Sequence, residues 1–241
     1  YGYSVTNRGY VAQLSDRYTR KFDVLNRGYS GYNTDMAKIL LPQLLSITRS
    51  DAQCDSTRLR LLTIFFGAND AALPGSAQHV PLNRYRENLR YLIELVTCPD
   101  SDYYSPDTHI VLIAPPPVGE KMWGNNKQSK GQELDRKNQV TREYAQAVVE
   151  VGEEMRIPVV DLWKEIMHRW EKLPRHVREN DWDGFDQFTV DGLHLNANGY
   201  QILTELLVEI IERNWVELRA DNIELECPPW WELETESNLA E

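Results

Sequence analysis

The chain has 241 residues, of which 41% are hydrophobic, and it carries 37 acidic against 26 basic residues for a net charge of -11. This length suits one α/β domain with a single sizeable core better than two small domains. The acidic excess disfavours nucleic acid and anionic membrane surfaces as partners, so a small neutral or cationic molecule is the expected ligand.

The cysteines and the hydropathy pattern predict the compartment. Cys54, Cys98 and Cys227 are scattered and lack Cys-x-x-Cys spacing, which predicts neither a disulfide framework nor a metal site. No apolar run approaches the roughly 20 residues of a membrane span. The given sequence does not begin with the basic and apolar residues of a secretion signal. We expect a cytoplasmic protein, although the absence of a leader carries little weight because we also expect a segment to precede Tyr1.

Short, near-continuously apolar runs recur along the chain and have the pattern of strands buried on both faces. These runs are residues 22–26, 61–66, 109–114 and 157–161. Stretches with helical spacing separate them, at residues 10–21, 34–47, 83–96, 135–155 and 197–216. The alternation predicts βαβ units, a parallel sheet and helices on both of its faces.

The chain divides into one domain and a tail. We assign residues 1–220 to a single domain and residues 221–241 to an acidic C-terminal tail, which Trp230 and Trp231 are expected to pin to the body. Within the domain, residues 164–187 are polar and predict a loop-and-helix connection, either at a pocket mouth or simply solvated.

Ligands of parallel sheets bind beyond the carboxyl ends of the strands, so residues that follow each strand are candidate site residues. The first apolar run leads to Gly31 and the second to Asn69. A glycine lets a backbone N–H approach a ligand, and an asparagine amide is a neutral donor, so together they can stabilise an oxyanion. Taken singly, each is equally an ordinary turn or helix-entry residue.

Asp191 and His194 follow the last apolar run, in Asp-Gly-Leu-His at the mouth of the final helical stretch. A carboxylate three residues before an imidazole can orient the ring and stabilise its protonated form. Alone the pattern is weak, because an aspartate that caps a turn beside a surface histidine fits it as well. With candidate oxyanion donors elsewhere, it predicts an acid–base pair that serves a nucleophile.

Together these residues resemble the SGNH (GDSL-type) hydrolases, whose four blocks carry a serine, an oxyanion glycine, an oxyanion asparagine, and a histidine preceded by aspartate. Gly31 matches the glycine block, Asn69 the asparagine block, and Asp191 with His194 the last block, in the family's order. The resemblance implies a flavodoxin-like three-layer sandwich with a central parallel sheet, no cofactor, and hydrolysis of small carboxylic esters through an acyl-enzyme.

The chain is most similar to the isoamyl acetate-hydrolysing esterase branch of that family. The similarity is carried by residues 18–34 (YTRKFDVLNRGYSGYNT), residues 65–71 (FFGANDA) and residues 115–118 (PPPV), and it spans about residues 8 to 216. It implies short-chain esters as substrates. A lysophospholipase or carbohydrate deacetylase on the same scaffold, and a non-catalytic binding protein that keeps only the pocket, remain alternatives. The oligomeric state is not predicted.

The serine block is the one departure from the family pattern. Family members carry the nucleophile in a Gly-Asp-Ser-Leu-type block after an apolar first strand, and no such strand precedes Tyr10. Ser4, in Tyr-Gly-Tyr-Ser-Val-Thr, mimics the block, but three residues cannot form the buried strand that supports a nucleophile. We therefore expect the nucleophile upstream of Tyr1, and a fold that lacks its first strand.

Overall fold

The structure is a computed structural model that describes residues 8–50, 58–178 and 183–232, with the backbone alone for residues 46–50. Ser4 and Cys54 lie outside the described residues.

A parallel sheet forms the centre of the described chain. Its strands are β1 (Leu61–Phe65), β2 (His109–Ile113) and β3 (Val159–Val160), in the order β1-β2-β3. Leu61 lies opposite His109, and Phe65 lies opposite Ile113. The prediction of parallel strands at the last three apolar runs is confirmed, and their continuous apolar character reflects a sheet that is covered on both faces.

Helices flank this sheet. They are α1 (Tyr10–Arg17), α2 (Thr34–Ser50), α3 (Leu82–Thr97), α4 (Glu120–Gln128), α5 (Asn138–Met155), α6 (Leu162–Glu171) and α7 (Ala197–Asn214). Short 3₁₀ turns lie between α6 and α7, at Arg175–Val177 and Phe185–Gln187, and after α7, at Val216–Leu218 and Ala220–Asn222. The predicted helical stretches all contain a helix. By contrast, α4 was not predicted, because only Trp123 of its side chains is buried and the helix shows little apolar periodicity. The helix α6 overlaps the region predicted as a polar loop-and-helix connection.

Two apolar clusters cover the two faces of the sheet. Ile110 and Leu112 of β2 belong to the cluster formed with α2, α3 and α5. Val111 and Ile113, which point the opposite way, belong to the cluster formed with α1, α6 and α7. Alternate residues of one strand thus enter two separate cores, which makes the domain the expected three-layer α/β/α sandwich. No described helix combines the length and apolar composition that a transmembrane segment needs.

The prediction of a strand at residues 22–26 is wrong. This segment is not a strand in the structure, although Phe22 and Val24 pack against the core. A strand is held by hydrogen bonds to a neighbouring strand, and within the described sheet β1 pairs with β2 alone. The apolar side chains therefore pack this segment against the core, but in the described sheet no neighbouring strand forms backbone hydrogen bonds with it.

A large apolar cleft lies along the edge of β1 that has no strand neighbour among the described residues. Its volume is about 620 Å³, and its walls include all of β1 and parts of α1, α2 and residues 22–29. Packed cores rarely contain voids much larger than a water molecule, and an apolar cavity of about 150 Å³ already counts as large. The cleft is therefore a feature of the architecture rather than a packing defect.

The beginning of the tail is attached through its backbone. The Glu226 N–H donates to the Arg20 carbonyl at 2.9 Å, and Arg20 Nη2 donates to the Cys227 carbonyl at 2.6 Å. Trp230 and Trp231 remain 66% and 59% exposed. Hydrogen bonds to Arg20, and not burial of the two indole rings, hold this segment, while the domain boundary at residue 220 stays a prediction.

We expect residues 1–241, expressed alone, to self-associate and to bind a hydrophobic dye. Within residues 8–50, 58–178 and 183–232 the outer edge of β1 has no strand neighbour, so its backbone groups can pair with another chain, and the cleft beside it offers apolar surface. Light scattering over a concentration series and dye fluorescence would measure both properties. A monomer with a sharp, reversible melt at high temperature and no dye binding would contradict this expectation.

Candidate active site

Asp70 joins the two loops that carry the candidate oxyanion donors. Its carboxylate is fully buried and accepts hydrogen bonds from the Thr34 N–H at 2.9 Å, the Thr34 hydroxyl at 2.5 Å and the Gly67 N–H at 3.2 Å. Burial raises the pKa of Asp70, although these hydrogen bonds oppose the rise. The start of α2 is thereby fixed against the end of β1, which brings the Gly31 loop next to Asn69.

Gly31 and Asn69 are brought together by this arrangement. Asn69 Nδ2 donates to the Tyr32 carbonyl at 2.8 Å, next to Gly31 in the chain. Gly31 is exposed and has a φ of 82°, a left-handed conformation that favours glycine. Within the described part of the chain, its N–H donates no hydrogen bond. The Asn69 amide and the Gly31 loop therefore lie close together, and amide and backbone N–H groups are donors that can bind a partial negative charge.

The side chains of Asp191 and His194 contact each other. Asp191 Oδ2 lies 2.8 Å from His194 Nδ1, while Oδ1 accepts the His194 and Leu193 N–H groups at 2.9 and 3.0 Å. Burial alone would raise the pKa of Asp191, but the bonds from the His194 ring and from these two N–H groups lower it to about 2. Because an ionised carboxylate only accepts, Nδ1 carries the proton and Nε2 is the basic nitrogen.

The turn that holds this pair depends on Gly192. Its φ is 92°, and an added Cβ would stand 2.5 Å from the Gly119 carbonyl oxygen and 2.6 Å from the Trp123 nitrogen. The Gly119 N–H donates to the Gly192 carbonyl at 2.8 Å, so the loop that follows β2 supports the turn. The Trp123 ring also meets the His194 ring edge to face, with 6.1 Å between centroids.

A series of partly buried contacts connects the His194 side of the site to the Asn69 side. Trp123 Nε1 donates to Asp135 Oδ1 at 2.8 Å, and the neighbouring Arg136 donates to the Ala68 carbonyl at 2.9 Å. Sequence analysis missed Trp123, Asp135 and Arg136. The adjacent Asp135 and Arg136 before α5 give no local signal of a role in the site, because the residues that they contact there are distant in sequence.

Two other histidines have partners elsewhere in the fold. His79 Nδ1 lies 2.6 Å from the Ala72 carbonyl oxygen, and the His109 ring stacks on Trp215 with 4.5 Å between ring centroids. Among residues 8–50, 58–178 and 183–232, no group of three or more His, Cys, Asp or Glu side chains is placed to hold a metal ion.

A parallel α/β/α sandwich with an Asp–His pair and amide donors in the loops around its sheet is the architecture of an ester hydrolase. Comparison with known proteins gives the family. The chain belongs to the GDSL-like lipase/acylhydrolase family, whose sequence model matches residues 1–202. The predicted family is therefore confirmed.

Relatives within the family include animal esterases. The chain is 37% identical over 213 residues to the isoamyl acetate-hydrolyzing esterase 1 homolog of Bos taurus, covering 88% of this chain and 77% of that protein. It is 35% identical over 230 residues to the human protein of the same name, covering 95% and 82%. Over 225 residues it is 33% identical to a GDSL esterase/lipase of Arabidopsis thaliana, covering 88% and 82%.

Solved structures share the fold. The acetylxylan esterase Axe2 of Geobacillus stearothermophilus superimposes with a TM-score of 0.55 at 20% identity, over 88% of this chain and 84% of that one. A lipase/acylhydrolase of Enterococcus faecalis gives a TM-score of 0.55 at 21% identity, over 93% and 90%. The predicted SGNH-type sandwich is confirmed by these matches.

Gly192→Ala should destabilise the protein far more than Gly75→Ala, a matched control. Gly75 has a φ of 97° but nothing within 4 Å of an added Cβ, so it carries the backbone strain without the collision. We expect the control to cost about 1 kcal/mol of unfolding free energy and Gly192→Ala at least about 3 kcal/mol. Urea unfolding of both variants measures this, and equal costs would show that the turn does not need this close approach.

Asp191→Asn should weaken the acid dependence of stability. A carboxyl whose pKa falls to about 2 on folding adds stability that is full above its unfolded pKa of about 4 and is lost as pH falls towards 2. The variant should be less stable at neutral pH and lose less stability between about pH 4 and pH 2. Urea unfolding across that range checks the sign, with the exposed Asp107→Asn as control. Identical acid limbs for wild type and Asp191→Asn would contradict it.

Proposed function

We propose that this protein hydrolyses short-chain carboxylic esters through an acyl-enzyme formed on a serine. The observation that carries the proposal is the 2.8 Å contact between Asp191 Oδ2 and His194 Nδ1, which leaves Nε2 as the general base. In the first step His194 takes the serine proton as the serine oxygen attacks the ester carbonyl, then returns it to the departing alcohol. Water repeats the cycle and releases the acid.

Gly31 and Asn69 would bind the oxyanion of the tetrahedral intermediates. The proposal is supported by the side-by-side placement of the Gly31 loop and the Asn69 amide, whose Nδ2 lies 2.8 Å from the Tyr32 carbonyl oxygen. Such donors act mostly on the transition state, and removal of one typically lowers turnover by about 10²–10³-fold. Asp191 would hold the imidazole tautomer and stabilise the imidazolium.

Short-chain esters are favoured by the relatives. The bovine and human relatives are named isoamyl acetate-hydrolyzing esterase 1 homologs, at 37% and 35% identity. The Geobacillus protein with the same fold is named an acetylxylan esterase, which keeps an acetylated carbohydrate as a second substrate class. Both names share a small acyl group, so the acyl side of the pocket is expected to be short.

The cleft beside β1 supports a nucleophile carried by a segment that precedes Tyr1. A further strand of five residues would be roughly 16 Å long. The cleft follows all five residues of β1, and its walls run from Arg58, before β1, to Asn69, after it. A strand parallel to β1 would therefore end beside Asn69, where a serine at its carboxyl end would meet the oxyanion donors.

The position of α1 agrees with that path. Tyr10, its first residue, packs edge to face on Phe65, the last residue of β1, with 6.4 Å between ring centroids. A chain that leaves the carboxyl end of the proposed strand could thus turn through the serine and enter α1. Arg60 Nε, buried in the cleft wall without a partner among the described residues, would gain carbonyl acceptors from such a strand.

The test compares residues 1–241 with the same chain preceded by its natural upstream coding sequence. We expect the longer protein to hydrolyse isoamyl acetate and other short esters, and residues 1–241 to be inert. His194→Ala in the longer protein should lower turnover by at least about a thousandfold. A panel of lysophospholipid, acetylated xylan and esters of increasing acyl length would identify the preferred substrate.

Three outcomes would contradict the proposal. Activity that survives His194→Ala would remove the acid–base pair from the mechanism. Full activity in residues 1–241 would move the nucleophile into this chain, where Ser4→Ala would test the remaining candidate. A longer protein that is folded but hydrolyses nothing would favour a binding protein that keeps the pocket without chemistry.

A further inference from the structure

Arg136 is a buried cation that the proposed mechanism does not use. Its side chain is 1% exposed, and burial of an ionised group is costly unless hydrogen bonds replace its hydration. Its guanidinium donates to the Ala68 carbonyl at 2.9 Å, to Gln78 Oε1 at 2.7 Å and, more weakly, to Asn69 Oδ1 at 3.5 Å. Asp135 supplies the counter-charge at 3.1 Å. Apart from Asp135, these partners belong to the oxyanion side of the site.

The guanidinium favours one orientation of each of the two carboxamides. Arginine only donates, so Gln78 and Asn69 must turn their carbonyl oxygens towards it and their NH₂ groups away. Asn69 Nδ2 then lies on the side of the Tyr32 carbonyl, at 2.8 Å. The Tyr32 carbonyl only accepts, so it favours the same orientation, and the two contacts together fix the end of Asn69 that can bind an oxyanion.

Gln78 extends the same control to Gly31. With Oε1 held by Arg136, its Nε2 donates to the Gly31 carbonyl at 2.9 Å. The Gln78 carbonyl in turn accepts from Asn33 Nδ2 at 3.1 Å, which fixes the glutamine backbone to the same loop. The peptide group that follows Gly31 is thereby tied to the cation that contacts Asn69.

We propose that Arg136 and Gln78 are positioning residues that align the Asn69 amide and the Gly31 backbone as one oxyanion site. This inference rests on the proposed ester hydrolysis. Neither residue touches the substrate; each acts through the donors that it orients. Because those donors act mainly in the transition state, loss of alignment should lower kcat and leave KM nearly unchanged.

Arg136→Lys in the catalytically active, naturally encoded protein is the first test. Lysine keeps the charge but loses the planar fork that reaches Gln78 and Asn69 together. We expect kcat to fall about tenfold or more, with KM within about twofold. Arg142→Lys is the matched control, since Arg142 is an exposed residue of α5 that lies over the Trp163 ring and should leave both constants unchanged.

Gln78→Glu is the second variant, in case Arg136→Lys folds poorly. Glutamate keeps an acceptor for Arg136 and the size of the side chain, but it replaces the donor to the Gly31 carbonyl with an oxygen. A drop in kcat at constant KM, with an unchanged melting temperature, would support alignment of Gly31 by Gln78. Wild-type kcat in a folded Gln78→Glu protein would exclude that role.

A double-mutant cycle with Asn69→Ala separates positioning from general stability. If Arg136 acts through Asn69, Arg136→Lys should cost clearly less in the Asn69→Ala background than in wild type. If the two losses multiply in full, or if Arg136→Lys stays within twofold of wild type, the inference on Arg136 is overturned while ester hydrolysis stands. If Asn69→Ala itself keeps near-normal turnover, the oxyanion assignment fails, and the inference fails with it.

Discussion

The parallel pairing of β1 with β2 is the constraint on which the site depends. Parallel strands end at the same edge of a sheet, so the loops after β1 and β2 leave side by side. The first loop carries Asn69, and the second carries Gly119, which holds the Gly192 turn through a 2.8 Å hydrogen bond. The β1–β2 pairing thus sets the relative positions of Asn69 and of the turn that carries Asp191 and His194, although these residues are far apart in the sequence.

Buried charges give these loops their fixed positions. Asp70 and Arg136 are 0% and 1% exposed, and both are satisfied mostly by backbone and neutral polar groups from separate segments. A packed apolar contact could hold the same loops, but it would not orient individual N–H groups and amides. The buried polar network therefore orients the N–H groups and amides at the edge of the sheet, while the two apolar clusters stabilise the sandwich.

The unpaired edge of β1 connects folding to catalysis. The cleft follows the edge of β1 that has no strand neighbour in the described part of the chain, and it ends at Asn69. A strand in that position would complete the sheet and deliver its carboxyl end to the oxyanion donors. Stability and activity would then rise together, because a single structural element provides both. Residues 22–26, which line the same cleft, would lie close to the added strand.

The sequence by itself determined the α/β class, three of the strands and the alternation with helices, and it proposed Gly31, Asn69, Asp191 and His194 as candidate site residues. Each depends on local information: runs of apolar residues, turn-forming glycines, and a short Asp-x-x-His spacing. The family resemblance added the order of the blocks. The pairing of Asp191 with His194 followed as well, since only three positions separate them.

Only the tertiary structure decided the rest, because the deciding partners are distant in sequence. Residues 22–26 have the composition of a strand, yet strand formation requires a neighbour that the described sheet does not provide. Arg136 and Gln78 lie 58 positions apart, and the contact between them depends on how the loops after β1 and before α5 fold against each other. Local pattern indicates which residues carry the chemistry, but the packing of remote segments decides which way their donors point.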